Sequence, residues 1–298
     1  MHEKYKSSVD EFIRSETEFP KVIVIYGPTA CGKTDLSLDV AQYIQSEIIS
    51  TDSRQIYRYM DIGTGKIKSE EMRNIPHHMI DVINPNEIFS VVEFVNMALP
   101  IIETIHSRGA IAILCGGTGL YIDGLLYEMA YPDTPPDWDY RAELETIRLT
   151  IGTKELWNML ERVDPEYAHT LDPGNYRYVM RGLEVMRQTG ESKLESKGKK
   201  NPRFSPLFLT PYDDINRPDL YKNINKRVDE MFDYGLIQEV ENNTMLFSSH
   251  CPGLMTIGYR EVVDALEGNM TLVAAKVLIQ QRSRNYAKRQ ITWNKRYE

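Results

Sequence analysis

Short apolar runs alternate with amphipathic stretches in the first part of the chain. Residues 22–26 and 111–115 are continuous apolar runs, each followed by glycine, which is typical of buried strands; residues 47–51 predict a third strand. A helical pattern follows the first run, from residue 34 to about residue 45. Strands and helices that alternate in this way form βαβ units. The pattern therefore predicts an α/β fold, with a parallel sheet flanked by helices.

The pattern becomes helical from residue 138 to residue 190 and returns to strand-like sequence at 204–210. Apolar residues recur at helical spacing in two groups within this stretch: Leu156, Leu160 and Val163, and Val179, Leu183 and Met186. We therefore predict a core domain made of residues 1–127 and 199–298. Residues 128–198 are predicted to form an inserted helical domain.

Composition excludes several classes of protein. Among the 298 residues, 42% are apolar and 26% are charged, which is an ordinary globular mixture. No apolar run approaches the ~18 residues of a membrane span, and residues 1–20 lack the apolar core of a signal peptide. The three cysteines lie far apart, without the spacing of a zinc site or a disulfide scaffold. We expect a cytoplasmic protein, without membrane contact, that is a monomer.

The net charge of −8 argues against nucleic-acid binding for the chain as a whole, but the charge is unevenly distributed. Residues 282–297 carry six lysines or arginines and no acidic residue. Because charges act locally at physiological salt, a bound polyanion would meet a basic surface here. At helical spacing, one stripe recurs every seven residues and an arginine row lies beside it: Ile279, Tyr286 and Trp293, and Arg282, Arg289 and Arg296. We expect the stripe to pack and the arginine row to face phosphates.

The segment between the first predicted strand and the first predicted helix matches the motif G-x-x-x-x-G-K-[ST]. It consists of Gly27, Pro28, Thr29, Ala30, Cys31, Gly32, Lys33 and Thr34. Backbone N–H groups of such a P-loop converge on phosphate oxygens, and the helix N-terminus adds positive potential. Lys33 supplies a further charge, and the Thr34 hydroxyl can ligate Mg²⁺. The motif predicts a ligand with a diphosphate group, but it does not specify ATP.

Most P-loop nucleotidases hold their metal with an aspartate at the end of a later strand. Here the run 111–115 ends in Cys115, which two glycines follow. The nearest acid is Asp52, which follows the strand 47–51 and should share the same crevice of a parallel sheet. Asp52 can act there as a metal ligand or a base. It can equally form an Asx turn or cap a helix.

Seven short segments occur in one order along the chain: residues 52–57, 60–66, 76–81, 116–121, 181–185, 257–260 and 286–293. Together with the P-loop, this series resembles the tRNA dimethylallyltransferases of bacterial type, also called tRNA isopentenyltransferases. The resemblance extends over residues 21–296. The sequence departs from the family pattern at Cys31, where serine is usual, and after Lys66, where proline is usual.

The resemblance implies a P-loop NTPase-like fold and an enzyme that transfers a prenyl group. Members of the family move dimethylallyl from dimethylallyl diphosphate to N6 of adenine 37, beside the anticodon of tRNA, and release diphosphate. The P-loop then holds the leaving diphosphate, with Mg²⁺ as cofactor. This role agrees with the missing acid after residues 111–115.

The resemblance also assigns roles to residues. Asp52 would be the base that takes the N6 proton, Arg227 a second diphosphate-binding cation beside Lys33 and Thr34, and Gln55 a reader of the adenine edge. Thr118 would contact the flipped nucleotide. The residues that match the tRNA-binding positions of the family are Asp52, Ser53, Arg54, Gln55, Thr118, Arg141, Arg177, Arg181, Thr256, Gly258, Tyr259, Arg260, Tyr286, Lys288 and Arg289. The partner would be the anticodon stem-loop.

Three alternatives remain open from the sequence. A prenyltransferase acting on free AMP or ADP would need neither the basic C-terminal stretch nor the helical insert. A small-molecule kinase would consume ATP. A non-catalytic RNA-binding P-loop protein would have no use for Asp52 and Gln55.

Overall fold

The computed structural model describes residues 1–128, 134, 136–194 and 201–298. Its strands are β1 (Lys21–Tyr26), β2 (Ile48–Ser50), β3 (His77–His78), β4 (Ala112–Gly116), β5 (Tyr127–Glu128), β6 (Asn201–Pro202) and β7 (Ser205–Leu209). Five of them form one sheet in the order β3-β2-β4-β1-β7, and every pairing in it is parallel. β5 and β6 form a separate two-stranded sheet. The predicted parallel α/β sheet is confirmed.

The helices are α1 (Glu3–Arg14), α2 (Lys33–Ile44), α3 (Val91–Ser107), α4 (Gly119–Leu126), α5 (Trp138–Thr150), α6 (Thr153–Val163), α7 (Pro165–His169), α8 (Tyr176–Thr189), α9 (Arg217–Asp233), α10 (Leu236–Leu246), α11 (Tyr259–Leu266) and α12 (Leu272–Asn294). Ser69–Glu71 and Pro211–Asp214 form short 3-10 turns. In the part of the chain that the structure describes, no helix has the length and apolar character that crossing a membrane requires.

The central strand β1 explains why its sequence is a continuous apolar run. Val22 pairs with Ala112 of β4, and Ile23 pairs with Leu207 of β7. A strand with parallel neighbours on both sides and helices on both faces has no solvent face, so both alternating sets of side chains are apolar. Val22, Ile23, Val24 and Ile25 are all fully buried.

The chain divides into two compact units. One consists of Met1–Leu126 and Pro202–Glu298, and the other of Tyr127–Asn201. The second unit has its own helical core, in which Leu156, Leu160 and Val179 are fully buried. Each of these side chains contributes about 1.5–3 kcal/mol by burial. The unit therefore has its own hydrophobic core.

The polar stretch at residues 1–20 contains helix α1, which packs on the sheet-side core of the first unit. Val9 is fully buried among residues of β1 and α2, and the Tyr5 hydroxyl donates to the Thr210 carbonyl at 2.9 Å. A second cluster in the same unit joins α9, α10, α11 and α12 to residues 56–60. This cluster fixes the helices that carry the site described below.

Candidate active site

The P-loop lies between β1 and α2, as its motif predicts. Gly27 and Gly32 have φ angles of +146° and +91°, which side-chain-bearing residues rarely adopt. A Cβ atom on Gly27 would also come within 2.8 Å of the Cys31 sulfur. Burial raises the pKa of the Cys31 thiol, so this side chain is a neutral packing residue beneath the loop. Lys33 begins α2 and donates from Nζ to the Pro28 carbonyl at 2.8 Å.

Gln290 connects helix α12 to two loops of the site, and the sequence analysis gave it no role. Its Oε1 accepts from the Thr29 N–H at 2.8 Å, and its Nε2 donates to the Gly117 carbonyl at 3.0 Å. A Cβ atom on Gly117 would lie only 2.1 Å from that Nε2. Gln290 belongs to the segment 286–293 that carries the family resemblance, but the sequence does not show which groups its buried amide contacts. Those partners depend on the tertiary fold.

Arg227 of α9 reaches the P-loop from the other side. Its two Nη groups donate to the Thr29 hydroxyl and to the Thr64 carbonyl, both at 3.2 Å. A Cβ atom on Gly65 would lie 1.5 Å from Nη2, so this approach requires glycine there. Burial lowers the pKa of Arg227, and the negative charge of the neighbouring Asp52 carboxylate opposes this shift. Arg227 stays cationic, because the ordinary pKa of arginine lies far above neutral pH.

Asp52 lies two residues after the end of β2, and its two carboxylate oxygens have different surroundings. Oδ1 accepts from the Arg54 N–H at 2.9 Å, which is an Asx turn. Oδ2 has no hydrogen-bond partner among the described residues. The same carboxylate therefore closes the turn with Oδ1 and keeps Oδ2 available. One oxygen fixes the orientation of the carboxylate, and the other is left for a ligand.

A polar cluster adjoins this carboxylate. The Thr118 hydroxyl accepts from the Ser53 N–H at 3.0 Å and donates to the Ser53 hydroxyl at 3.3 Å, and burial raises the pKa of the nearby Tyr286 hydroxyl to about 12. Gln55 lies three residues beyond Asp52, and its Oε1 accepts from the Ser50 hydroxyl at 3.0 Å. The first structural unit thus brings together the predicted diphosphate residues and the predicted adenine residues.

The predicted arginine row of residues 282–296 is ion-paired at two of its three positions, and its contact with phosphates stays a prediction. Arg282 pairs with Glu261, and Arg296 pairs with Asp123 at 2.9 Å. These two carboxylates are 0% and 2% exposed, and a buried carboxylate requires a cationic partner. Arg289, by contrast, is exposed and has no acidic partner in the described part of the chain. The exposed cations without an acidic partner in the described residues here are therefore Lys288 and Arg289 on α12 and Lys295 directly after it.

Tyr259 also requires correction as a predicted tRNA contact. Its side chain is 0% exposed and its hydroxyl donates to Glu239 at 2.5 Å, so no RNA can reach it. Thr256 and Gly258 are buried as well, whereas the neighbouring Arg260 is exposed. Of the matched positions between 256 and 260, only Arg260 offers a charged side chain to a partner.

Two predicted tRNA-binding arginines of the second unit share one internal partner. Arg141 forms a bidentate pair with Glu184, with both contacts at 2.8 Å, and Arg181 contacts the same carboxylate at 2.5 Å. Glu184 is fully buried, so these arginines satisfy a structural requirement. Arg177 is exposed and forms no ion pair within the described residues. The tRNA contacts of all three stay predictions.

The parallel sheet with a P-loop after its first strand defines a P-loop fold, and no acid stands at the end of β4, where P-loop nucleotidases usually carry one. The chain belongs to the IPP transferase family, whose profile matches residues 55–297. The resemblance stated from the sequence is therefore confirmed.

Individual relatives agree with this assignment. A tRNA dimethylallyltransferase from Caldanaerobacter subterraneus is 42% identical over 283 residues, which are 93% of this chain and 90% of that protein. The crystal structure of a tRNA isopentenylpyrophosphate transferase from Bacillus halodurans matches with 41% identity and a TM-score of 0.67, over 92% of this chain and 86% of that one. A eukaryotic dimethylallyltransferase acting on tRNA matches with 30% identity and a TM-score of 0.77, over 92% and 70%.

Proposed function

We propose that this protein transfers the dimethylallyl group of dimethylallyl diphosphate to N6 of adenine 37 in tRNA. The observation that carries the proposal is the position of Asp52. Its carboxylate acts on Arg227 electrostatically, and Arg227 contacts Thr29 of the P-loop. A base and a diphosphate cradle therefore share one crevice, as transfer from a diphosphate to an amine requires.

The leaving diphosphate would be bound by the P-loop N–H groups, Lys33 and Arg227. Negative charge grows on this group as the allylic carbon–oxygen bond breaks, so fixed positive charges stabilise the transition state more than the ground state. The Thr34 hydroxyl is exposed and has no hydrogen-bond partner in the described ranges. It suits Mg²⁺, which takes most of its ligands from water and substrate phosphates. Bound there, the ion would neutralise part of the diphosphate charge.

Asp52 would accept the proton of the attacking amine. A bond forms between N6 and the allylic carbon, the bond from that carbon to the diphosphate oxygen breaks, and one N6 proton moves to the free Oδ2. The exocyclic amine of adenine is a poor nucleophile, and a positioned base contributes about 10²–10⁴-fold to such a step. The Asx turn keeps the carboxylate in place for it.

Recognition of the adenine would fall to Gln55 and Thr118. An amide side chain can both donate to and accept from an adenine edge, and the Gly65 carbonyl, which can only accept, fixes the orientation of the Gln55 amide. The adenine must leave its stack to reach the crevice, so base flipping is implied. The exposed cations Arg54, Arg177, Arg260, Lys288 and Arg289 would contact the backbone of the anticodon stem-loop.

The exposed cations of α12 favour tRNA over free AMP or ADP as the acceptor, because a mononucleotide needs no extended basic surface. The absence of an acid at the end of β4 argues against a kinase, since Cys115 is followed there by Gly116 and Gly117.

The cytoplasmic location and the monomeric state stay predictions from the sequence.

Labelled dimethylallyl diphosphate separates these functions. It is incubated with the protein and Mg²⁺ in the presence of unmodified tRNA, AMP or buffer, and the label is followed. We expect incorporation into tRNA alone, with no ATP requirement. Transfer to AMP but not to tRNA would contradict the proposed acceptor, and ATP hydrolysis in step with product would contradict prenyl transfer as the activity.

A further inference from the structure

Glu239 of α10 accepts four hydrogen bonds, although no role follows for it from the motifs of the sequence. Its Oε2 accepts from the N–H groups of Asp61 and Ile62, at 2.9 and 2.8 Å. Its Oε1 accepts from the Gly63 N–H at 3.1 Å and from the Tyr259 hydroxyl at 2.5 Å. Three consecutive backbone N–H groups thus converge on one carboxylate, as they do around a bound anion.

Tyr259 reinforces this arrangement from beneath the loop. A Cβ atom on Gly63 would lie 2.4 Å from the Tyr259 ring, so the glycine lets ring and backbone meet. Burial raises the pKa of Tyr259 well above its ordinary value, and the hydroxyl therefore remains a donor to Glu239. Tyr259 belongs to the segment 256–260, to which the family resemblance assigned tRNA contacts. In the structure its side chain supports the loop at residues 61–65.

The loop held by Glu239, residues 61–65, presents its last two carbonyls to the proposed active site. The Thr64 carbonyl accepts from Arg227 Nη2 at 3.2 Å. The Gly65 carbonyl accepts from Gln55 Nε2 at 3.3 Å. The same five-residue loop thus orients Arg227 and Gln55, the two side chains that bind substrate groups in the proposed function.

We propose that Glu239 is a positioning residue, which acts through the 61–65 loop to fix the Arg227 guanidinium beside the P-loop and to orient the Gln55 amide. This inference rests on the proposed function in one respect, namely that Arg227 binds the diphosphate and Gln55 binds the adenine. Charge-assisted hydrogen bonds to three successive amides hold a loop more firmly than neutral ones do. A side chain remote from the substrates would thereby determine the geometry of the diphosphate site.

The test is the affinity for inorganic pyrophosphate with Mg²⁺, measured by calorimetry on the full chain at a temperature where each variant is folded. Glu239→Gln places an amide N–H₂ against N–H donors and disrupts the loop. We expect about tenfold weaker binding, the scale of a misplaced contact. Removing a negative charge from the protein would by itself leave the binding of an anion unchanged or strengthen it. Weaker binding therefore distinguishes positioning from a simple charge effect.

Glu241→Gln is the matched control, because it makes the same charge change two residues further along α10 and has no ion-pair partner in the described residues. It should leave pyrophosphate affinity within about twofold. Tyr259→Phe is a milder second variant, which removes one hydrogen bond from Glu239 and should weaken binding less. It carries the test if Glu239→Gln does not fold.

A double-mutant cycle with Arg227→Ala separates the inference from the proposed function. If Glu239 acts through Arg227, then Glu239→Gln should weaken binding much less in the Arg227→Ala background than in the wild-type background. Additive effects, or unchanged affinity in Glu239→Gln, would overturn the positioning role alone. Unchanged affinity in Arg227→Ala itself would instead overturn the assigned diphosphate site.

Discussion

Single side chains in this protein combine structural and chemical roles, and Asp52 is the main example. One oxygen closes an Asx turn with Arg54 at 2.9 Å, while the other has no partner in the described ranges. The sequence left cap and base as alternatives, and the geometry permits both at once. Substitutions must therefore be chosen so that the two roles are affected differently.

Asp52→Asn keeps the turn acceptor but removes the basic oxygen. We expect a single-turnover transfer rate lower by about 10²-fold or more, the scale of a lost general base. If Asp52 only forms the turn, the variant should keep its transfer rate per folded molecule and lose less than the roughly 0.5–2 kcal/mol of stability that removal of the acceptor would cost. Both quantities are measured on one preparation. A folded variant with near-normal transfer would remove Asp52 from the mechanism.

Two arginines of α12 should differ in how the same substitution affects the stability of the protein. Arg282→Ala leaves buried Glu261 without its cation, so unfolding by urea should show a loss of about 1–3 kcal/mol. Arg289→Ala removes an exposed charge, so stability should change by less than about 0.5 kcal/mol while tRNA affinity falls. Equal destabilisation by both substitutions would contradict the division of this helix into packed and exposed cations.

At the scale of elements, the helices of the second unit depend on a buried charge cluster. Glu184 of α8 binds Arg141 of α5 and also Arg181 of its own helix. Burial alone would raise the pKa of Glu184, but the hydrogen bonds from the two arginines outweigh it and hold the pKa below the ordinary value of 4.5. The carboxylate therefore contributes stability only while it is ionised.

The sign of this shift gives a pH prediction. Because the folded-state pKa is depressed, the contribution of Glu184 is fully present above pH 4.5 and is lost as pH falls through the lower folded value. The difference in stability between the wild type and Glu184→Gln should be constant above that pH and shrink below it. Thermal unfolding of both proteins across an acid pH series measures it, and a constant difference down to pH 2 would refute the linkage.

At the scale of the whole molecule, a net charge of −8 coexists with exposed cations on α12. If those cations contact phosphates, tRNA affinity should fall steeply with NaCl, because bound counterions are released. Arg289→Ala should reduce the slope of log affinity against log salt by about one. Pyrophosphate affinity in the same variant is the control, and it should not change. A salt-independent tRNA affinity would contradict the basic surface.

The features that can be predicted correctly from the sequence are local ones. An apolar run followed by glycine yields β1 and β4, because a parallel strand is buried on both faces. The P-loop follows from its motif, because Gly27 and Gly32 have backbone conformations that other residues rarely adopt. The order of the motifs was enough to identify the IPP transferase family.

Only the tertiary structure decides which charges are free and which are satisfied. Arg282 and Arg289 are equivalent in the helical pattern, but buried Glu261 from α11 neutralises the first. Gln290 and Glu239 gain their roles from backbone groups more than a hundred residues away along the chain. A hydrogen-bond partner depends on position in space and is not encoded in local periodicity. The sequence by itself therefore determined the sheet, the cradle and the family, and packing determined how the site is held.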